Sequence, residues 1–183
     1  MTNASTEPGP AMGSNVVLTG FMGTGKSTVG RILADLLGYE FVDTDTVIEE
    51  RHGPIPEIFA NHGEEVFRGY EQEVAEELAQ RTGLVIGTGG GLMLQRGSAR
   101  ALDSTGEVFC LTASVDTIVE RILGQRDQDG TDRPLVAGDN PRQTIADLLA
   151  SRQEKYADYT QVETEGQTPE QVAAELQQLT ARS

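Results

Sequence analysis

The segment Gly20-Phe21-Met22-Gly23-Thr24-Gly25-Lys26-Ser27-Thr28 constrains this 183-residue chain more than any other stretch. It follows the apolar run Val16-Val17-Leu18-Thr19 and opens a helix-period stretch from Val29 to Leu37. A strand leading into Gly-x-x-x-x-Gly-Lys-Ser and then into a helix is the setting of a phosphate-binding loop. Glycines at this spacing let backbone N–H groups turn toward one anion where side chains would collide with it, and the helix N-terminus adds partial positive charge. Lys26 is then the neutralising cation for the β- and γ-phosphates, and the Ser27 hydroxyl a ligand for Mg2+.

Downstream, short β-branched runs alternate with longer helical periods, the pattern of a parallel sheet wrapped by helices. Five strands are expected at Asn15–Thr19, Glu40–Asp43, Leu84–Gly87, Glu107–Leu111 and, more weakly, Gln161–Thr164. Helices are expected at Lys26–Leu37, Asp45–Arg51, Pro56–Asn61, Glu64–Gln80, Ser114–Leu123, Pro141–Ala157 and Pro169–Ala181. The last start carries Thr168, Pro169 and Gln171 at capping-box spacing. Residues 1–14 read as a disordered tail without the basic and apolar regions of a signal peptide, and residues 15–183 as one domain. The polar, Gly- and Pro-punctuated segment 124–140 is long for an internal connection and reads as a lid.

Charge narrows the partners. The formal net charge is −15, and of the 14 cations only Lys26 and Lys155 are lysines, so no basic face serves nucleic acid or an anionic membrane. No apolar run reaches the roughly 20 residues of a membrane span. The lone Cys110 lies in Val108-Phe109-Cys110-Leu111, cannot form an internal disulfide and reads as a buried, inert thiol, so a cytoplasmic location is expected. His52 and His62 are expected in solvent-facing turns without a metal partner pattern.

A triphosphate site needs acids for its metal. The second strand closes in Phe41-Val42-Asp43-Thr44-Asp45, and a spacing of two puts both carboxylates on one side of an extended chain at the sheet edge where ligands bind. One suits the magnesium shell and the other an acceptor hydroxyl, although Asp45 also suits plain helix capping. The third strand ends in Gly87-Thr88-Gly89-Gly90-Gly91, a run that weakens regular structure and points to close approach by a ligand, or else to a merely permissive loop. Arg68, Arg133 and Arg152 taken singly read as surface arginines.

Taken together, GFMGTGKSTVGRILA, FVDTDTVIE, EIFANHGEEVFRGYE, GTGGG, RPL and an Arg followed by a Tyr resemble the bacterial P-loop shikimate kinases in order and spacing over about residues 15–180. The resemblance implies a three-layer P-loop NTPase fold with a five-stranded parallel sheet of order 2-3-1-4-5. It also implies a nucleoside-monophosphate-kinase-like substrate insert at about 44–81 and a lid at about 124–140. The implied activity is ATP-dependent phosphorylation of the shikimate 3-hydroxyl in the chorismate and aromatic amino acid pathway, by a cytoplasmic monomer using one Mg2+.

By the same resemblance, Gly23, Thr24, Gly25, Lys26, Ser27 and Thr28 hold the triphosphate, and Ser27 and Asp43 hold the metal, Asp43 through water. Asp45 grips ring hydroxyls and orients or deprotonates the attacking one. Arg68 and Arg152 hold the carboxylate, Gly89, Gly90 and Gly91 meet the ring, and Phe59 and Phe67 form an apolar wall. Arg133 swings in with the lid to stabilise charge on the γ-phosphoryl group, so that Asp45, Lys26 and Arg133 form the catalytic set. Arg126 is the candidate for stacking on adenine, with Arg121 as its alternative. The chain departs from the family pattern after Gly53, where it is one residue shorter. A gluconate-type kinase of the same architecture is the alternative reading, separated by the acceptor pocket, since Asp45, Arg68 and Arg152 together suit an acid carrying hydroxyls. A GTPase reading of Asp127-Gln128-Asp129-Gly130 fails because no strand precedes it and no Asn-Lys-x-Asp follows. A nucleic-acid motor is opposed by the short length and acidic charge.

Overall fold

The computed structural model describes residues 14–129 and 140–181. Its centre is β1 (Asn15–Gly20), buried along its whole length. The strand pairs in parallel with β3 (Leu84–Gly87) on one side and β4 (Gly106–Thr112) on the other. β2 (Glu40–Asp43) joins β3, and β5 (Thr160–Glu163) joins β4, giving the order β2-β3-β1-β4-β5. All five strands run the same way, so the residues ending β1, β2 and β3 share one carboxyl edge.

Side-chain alternation along β1 divides the core. Val16 and Leu18 join Phe109 and Leu111 against α1 (Lys26–Leu37) and α7 (Pro169–Thr180), contributing Val29, Leu33, Val172 and Leu176. Val17 faces the opposite way, with Val42, Ile86 and Val108. That side is covered by α2 (Thr44–His52), α3 (Ile55–Leu78) and α4 (Arg96–Asp103) through Ile48, Ile58, Val74, Leu78 and Leu102. A third cluster joins Phe21 and Cys110 to α5 (Val115–Asp129) and α6 (Pro141–Tyr156) through Ile118, Ile122, Ile145 and Tyr156. Cys110 is fully buried, and burial pushes its thiol up to about 11, consistent with an inert core residue.

The structure departs from the sequence expectation in three places. Between the glycine run and β4, where no element is assigned from the sequence, a 3-10 turn (Leu92–Leu94) leads into α4. At eight residues, with only Ser98 and Leu102 buried, α4 is too short to show a repeating apolar period. Second, α5 runs on through Gly124 to Asp129, taking in the first six residues of the expected lid, while residues 130–139 lie outside the described part. Gln and Arg are good helix formers, so polarity alone does not end a helix. The two helices expected at 56–61 and 64–80 are present as the two arms of α3, separated at Gly63, whose φ of 82° and ψ of 174° are not helical. Third, the histidines are exposed as expected but lie in helices and not in turns: His52 ends α2 and stacks on Tyr70 at 3.6 Å, and His62 precedes the break in α3. No helix of the described residues is long and apolar enough to cross a membrane.

The start of the sheet is stitched by a buried polar side chain. Asn15 Nδ2 donates to the Arg81 carbonyl at 2.8 Å, and the Leu84 N–H donates to Asn15 Oδ1 at 3.1 Å, tying β1 to the entry of β3. Asn15→Ala leaves both backbone groups without a partner, and buried unmet polar groups cost about 1–3 kcal/mol each. The variant is expected to lose about 2–4 kcal/mol in denaturant unfolding, and a loss below 0.5 kcal/mol overturns this role.

Candidate active site

The loop after β1 is built to leave donors free. α1 begins at Gly25 with φ 96°, no side chain caps it, and its first turn holds no acid. By contrast α2, α6 and α7 are capped by Asp43, Asn140 and Thr168. An uncapped helix start behind a glycine loop is the arrangement that accepts an anion. Gly20, Gly23 and Gly25 all have positive φ, which a side chain would oppose. Within the loop Thr24 is buried and donates its hydroxyl to the Phe21 carbonyl at 2.7 Å, while Ser27 and Thr28 are exposed at the helix start. Lys26 folds over the loop, with Nζ donating to the carbonyls of Gly20 at 2.9 Å and Phe21 at 3.0 Å.

β2 delivers the acids to this edge. Asp43 ends the strand, caps α2 by accepting from the Asp45 N–H at 3.1 Å, and accepts from Ser27 Oγ at 2.7 Å. This hydroxyl and carboxylate are hard oxygens at the mouth of the phosphate loop, the donor type Mg2+ takes. Thr44, fully buried, accepts from the Gly89 N–H at 2.9 Å and so fixes the end of β2 to the loop after β3. Asp45 is not the cap. It points inward, and its Oδ1 is buried without a hydrogen-bond partner among the described residues.

Each residue of the glycine run faces one charged side chain. Added carbon at Gly89 would run into the Asp45 carboxylate, at Gly90 it would lie 3.3 Å from Arg152 Nη1, and at Gly91 2.6 Å from Arg68 Nη1. Arg152 donates to the Gly90 carbonyl at 2.9 Å, joined there by Tyr156 Oη at 3.0 Å, and lies over the Phe21 ring at 5.3 Å. Arg68 is held from its own helix. Nη1 donates to Glu71 at 2.6 Å, while Nε and Nη2 reach Glu64 at 3.2 and 2.9 Å. Glu71 is 1% exposed and also accepts from Gln95 Nε2 at 2.6 Å, whereas the Glu64 side chain is 67% exposed. Phe67 packs beside Arg68 at 5.4 Å and against the half-exposed Phe59 at 4.8 Å between ring centroids. The glycine run, the two arginines, Asp45 and the Phe pair therefore come together in one region.

Three titrating groups are displaced toward their neutral forms. Burial lowers Lys26 to about 8, with Asp45 and Asp43 pulling it back upward. Burial raises Asp45 to about 6, helped by Asp43 and Glu71 and opposed by Lys26. Glu71 is likewise raised by burial, with Arg68 and Gln95 opposing. Shifts of this kind, from burial plus specific charged neighbours, cluster at functional sites.

Thr44, Glu71, Gln95 and Tyr156 support this site without entering the set of site residues named from the sequence. Glu71 and Glu64 were visible as charge partners three and four positions from Arg68 on one helix. Gln95 and the Thr44 contact carried no local signal. The side chain of Arg126 and the whole of Arg133 lie outside the described residues, so the adenine contact and the lid arginine fall there too. Arg121, the alternative for that contact, donates to the Gly23 carbonyl of the phosphate loop and to Thr164.

The parallel sheet of order 2-3-1-4-5, with this loop at the end of its central strand, defines a P-loop kinase. A family model described as shikimate kinase matches residues 22–181. The chain belongs to the shikimate kinase family. A shikimate kinase of Thermodesulfovibrio yellowstonii is 43% identical over 165 residues, covering 88% of this chain and 92% of its own. The structure of the Acinetobacter baumannii shikimate kinase in complex with shikimate matches with TM-score 0.81 at 40% identity over 91% of this chain and 92% of that one. A gluconokinase of Sinorhizobium meliloti, at 19% identity and TM-score 0.58 over 93% of each chain, shares the fold alone. The gluconate-type alternative is therefore not favoured.

The Asp45 shift makes a stability prediction. Its folded value of about 6 lies above the ordinary 3.8, so the buried carboxylate destabilises the fold increasingly as pH rises from 3.8 through 6. Asp45→Asn removes that penalty. Its stability advantage over wild type is expected to grow by about 1 kcal/mol between pH 5 and pH 8 in denaturant unfolding; an advantage that shrinks over this range contradicts the assignment.

Proposed function

We propose that the protein transfers the γ-phosphoryl group of ATP to the 3-hydroxyl of shikimate, giving shikimate 3-phosphate and ADP. The observation that carries this reading is the convergence of Asp45, Arg152 and Arg68 on three successive glycines beside an uncapped phosphate loop. Two guanidinium groups suit a carboxylate, and one buried carboxylate with a free oxygen suits ring hydroxyls.

In this reading residues 23–28 cradle the triphosphate on backbone N–H groups, and Lys26 places its charge on the transferring phosphates. Their negative charge restores the proton that burial makes Lys26 prone to lose. Ser27, and Asp43 through water, would hold Mg2+, which when bound would supply positive charge to neutralise the phosphates. Arg68 and Arg152 grip the shikimate carboxylate, with Glu71 and Gln95 fixing the Arg68 fork, and Phe59 and Phe67 line the ring. Asp45 accepts the hydrogen bond of the 3-hydroxyl and then its proton as oxygen attacks phosphorus in line. A carboxylate raised to about 6 is ionised at neutral pH, yet more basic than an ordinary aspartate. Arg133, arriving with the lid, stabilises charge on the γ-phosphoryl group, and Arg126 covers adenine. Residues 15–183 act as a single kinase domain, monomeric and cytoplasmic, with the insert at 44–81 and the lid near 124–140. A net charge of −15 leaves nucleic acid and anionic membrane outside its partners.

ADP release with shikimate, gluconate and shikimate methyl ester tests the acceptor. Shikimate is expected to turn over and gluconate not. The methyl ester, which keeps every hydroxyl but loses the charge, is expected to be a poor substrate. Arg68→Ala and Arg152→Ala should each weaken shikimate binding by about 30-fold or more while ATP binding stays within a few-fold. Equal use of ester and acid removes the carboxylate clamp. In the same assay kcat/KM for shikimate should fall as pH drops through about 6, because protonated Asp45 has lost its acceptor oxygen. A profile flat from pH 5 to 8 rules out Asp45 as the base.

A further inference from the structure

Arg121 lies half-buried on α5, in reach of both the phosphate loop and the last strand. Nη1 donates to Thr164 Oγ1 at 2.8 Å and to the Gly23 carbonyl at 3.3 Å, and Nη2 donates to the Thr164 carbonyl at 2.8 Å. Thr164 is buried, and its N–H and hydroxyl both donate to the Thr112 carbonyl, at 2.8 and 3.0 Å. One guanidinium thereby links the ends of β4 and β5 to the loop after β1.

The Gly23–Thr24 peptide is held at both edges. Its carbonyl accepts from Arg121, and its N–H donates to the Phe21 carbonyl at 3.4 Å. A trans peptide points these groups in opposite directions, so bonds at both edges fix the rotation of the plane. Gly23 has φ 77°, and Ile118 and Ile122 of the same helix close on it, an added carbon lying 3.2 Å from Ile122 Cγ1.

Arg121, like Arg152, makes its described hydrogen bonds to neutral oxygens. Arg51, Arg68, Arg81 and Arg142 each pair with a carboxylate. The hydrogen-bond partners described for Arg121 are neutral oxygens, while the nearby Glu165 carboxylate accepts from the Ser114 N–H and feels the Arg121 charge only at longer range. In a chain of net charge −15, a guanidinium held by neutral groups at the rim of the phosphate loop stays available to a polyphosphate.

We propose that Arg121 is a positioning residue for nucleotide: it sets the Gly23–Thr24 peptide plane and the Thr164 corner together, and so governs the affinity of the loop for the phosphates of ATP while leaving the acceptor alone. The inference rests on the kinase reading above, but is decided by a ratio that reading does not determine.

Dissociation constants for ATP, inorganic tripolyphosphate and shikimate, each with Mg2+ and without the other substrate, are measured for wild type, Arg121→Ala and Arg121→Lys. Wild-type ATP binding tests the kinase reading, and its absence removes that reading together with its dependents. Given wild-type binding, Arg121→Ala is expected to weaken ATP and tripolyphosphate by a similar factor of roughly 10 or more, with shikimate within two-fold. Arg121→Lys keeps the charge but cannot span both partners, so it should recover only a minor part of the loss. A variant that loses ATP but keeps tripolyphosphate affinity assigns Arg121 to the base and overturns the proposal. Unchanged ATP binding, equal loss of shikimate, or full recovery with lysine overturns it as well.

Discussion

The parallel pairing of β1 between β3 and β4 is the constraint on which the rest of this molecule depends. It sends the loops after β1, β2 and β3 to one edge, so a glycine loop, an acid pair and a glycine run separated by dozens of residues become neighbours. Reversal of any one strand would carry its loop to the opposite edge. The polar stitch at Asn15 matters for the same reason, because it sets where β3 begins relative to β1.

Electrostatics at that edge follow from dryness as much as from charge. Lys26 and Asp45 are each moved toward neutrality by burial, and each is partly restored by the other. Arg68 stays charged against a buried Glu71 and a replaceable, exposed Glu64. Arg152, by contrast, is held by the neutral Gly90 carbonyl, so the positive groups at this edge differ in how far the fold already compensates them. A strongly acidic chain can bind two anionic substrates only through such local concentration of cations.

The three glycines after β3 show how tertiary packing turns a permissive sequence into a specific one. Flexibility is a minor part of their role, since a side chain at any of the three would meet Asp45, Arg152 or Arg68. Sequence reasoning saw close approach by a ligand there. The structure adds close approach by the protein's own charged groups, with Arg152 and Tyr156 sharing the Gly90 carbonyl.

Strong local signals were legible without coordinates: the loop from Gly20 to Thr28 between strand and helix, the alternation that requires a parallel sheet, the acid pair closing β2, and the capping box at Thr168. Each depends on backbone geometry within a few residues, which sequence spacing encodes directly. The short α4, the continuation of α5 past Gly124, the stacking of His52 on Tyr70, and the partners of Arg121 and Glu71 were decided only in three dimensions. These contacts join residues across the fold or rest on marginal helical signals, and their energies exist only once the sheet has brought the segments together. By itself the sequence determined which groups could bind a phosphate and an acid; tertiary structure decided which of them face each other, because burial and hydrogen-bond partners are properties of packing and not of composition.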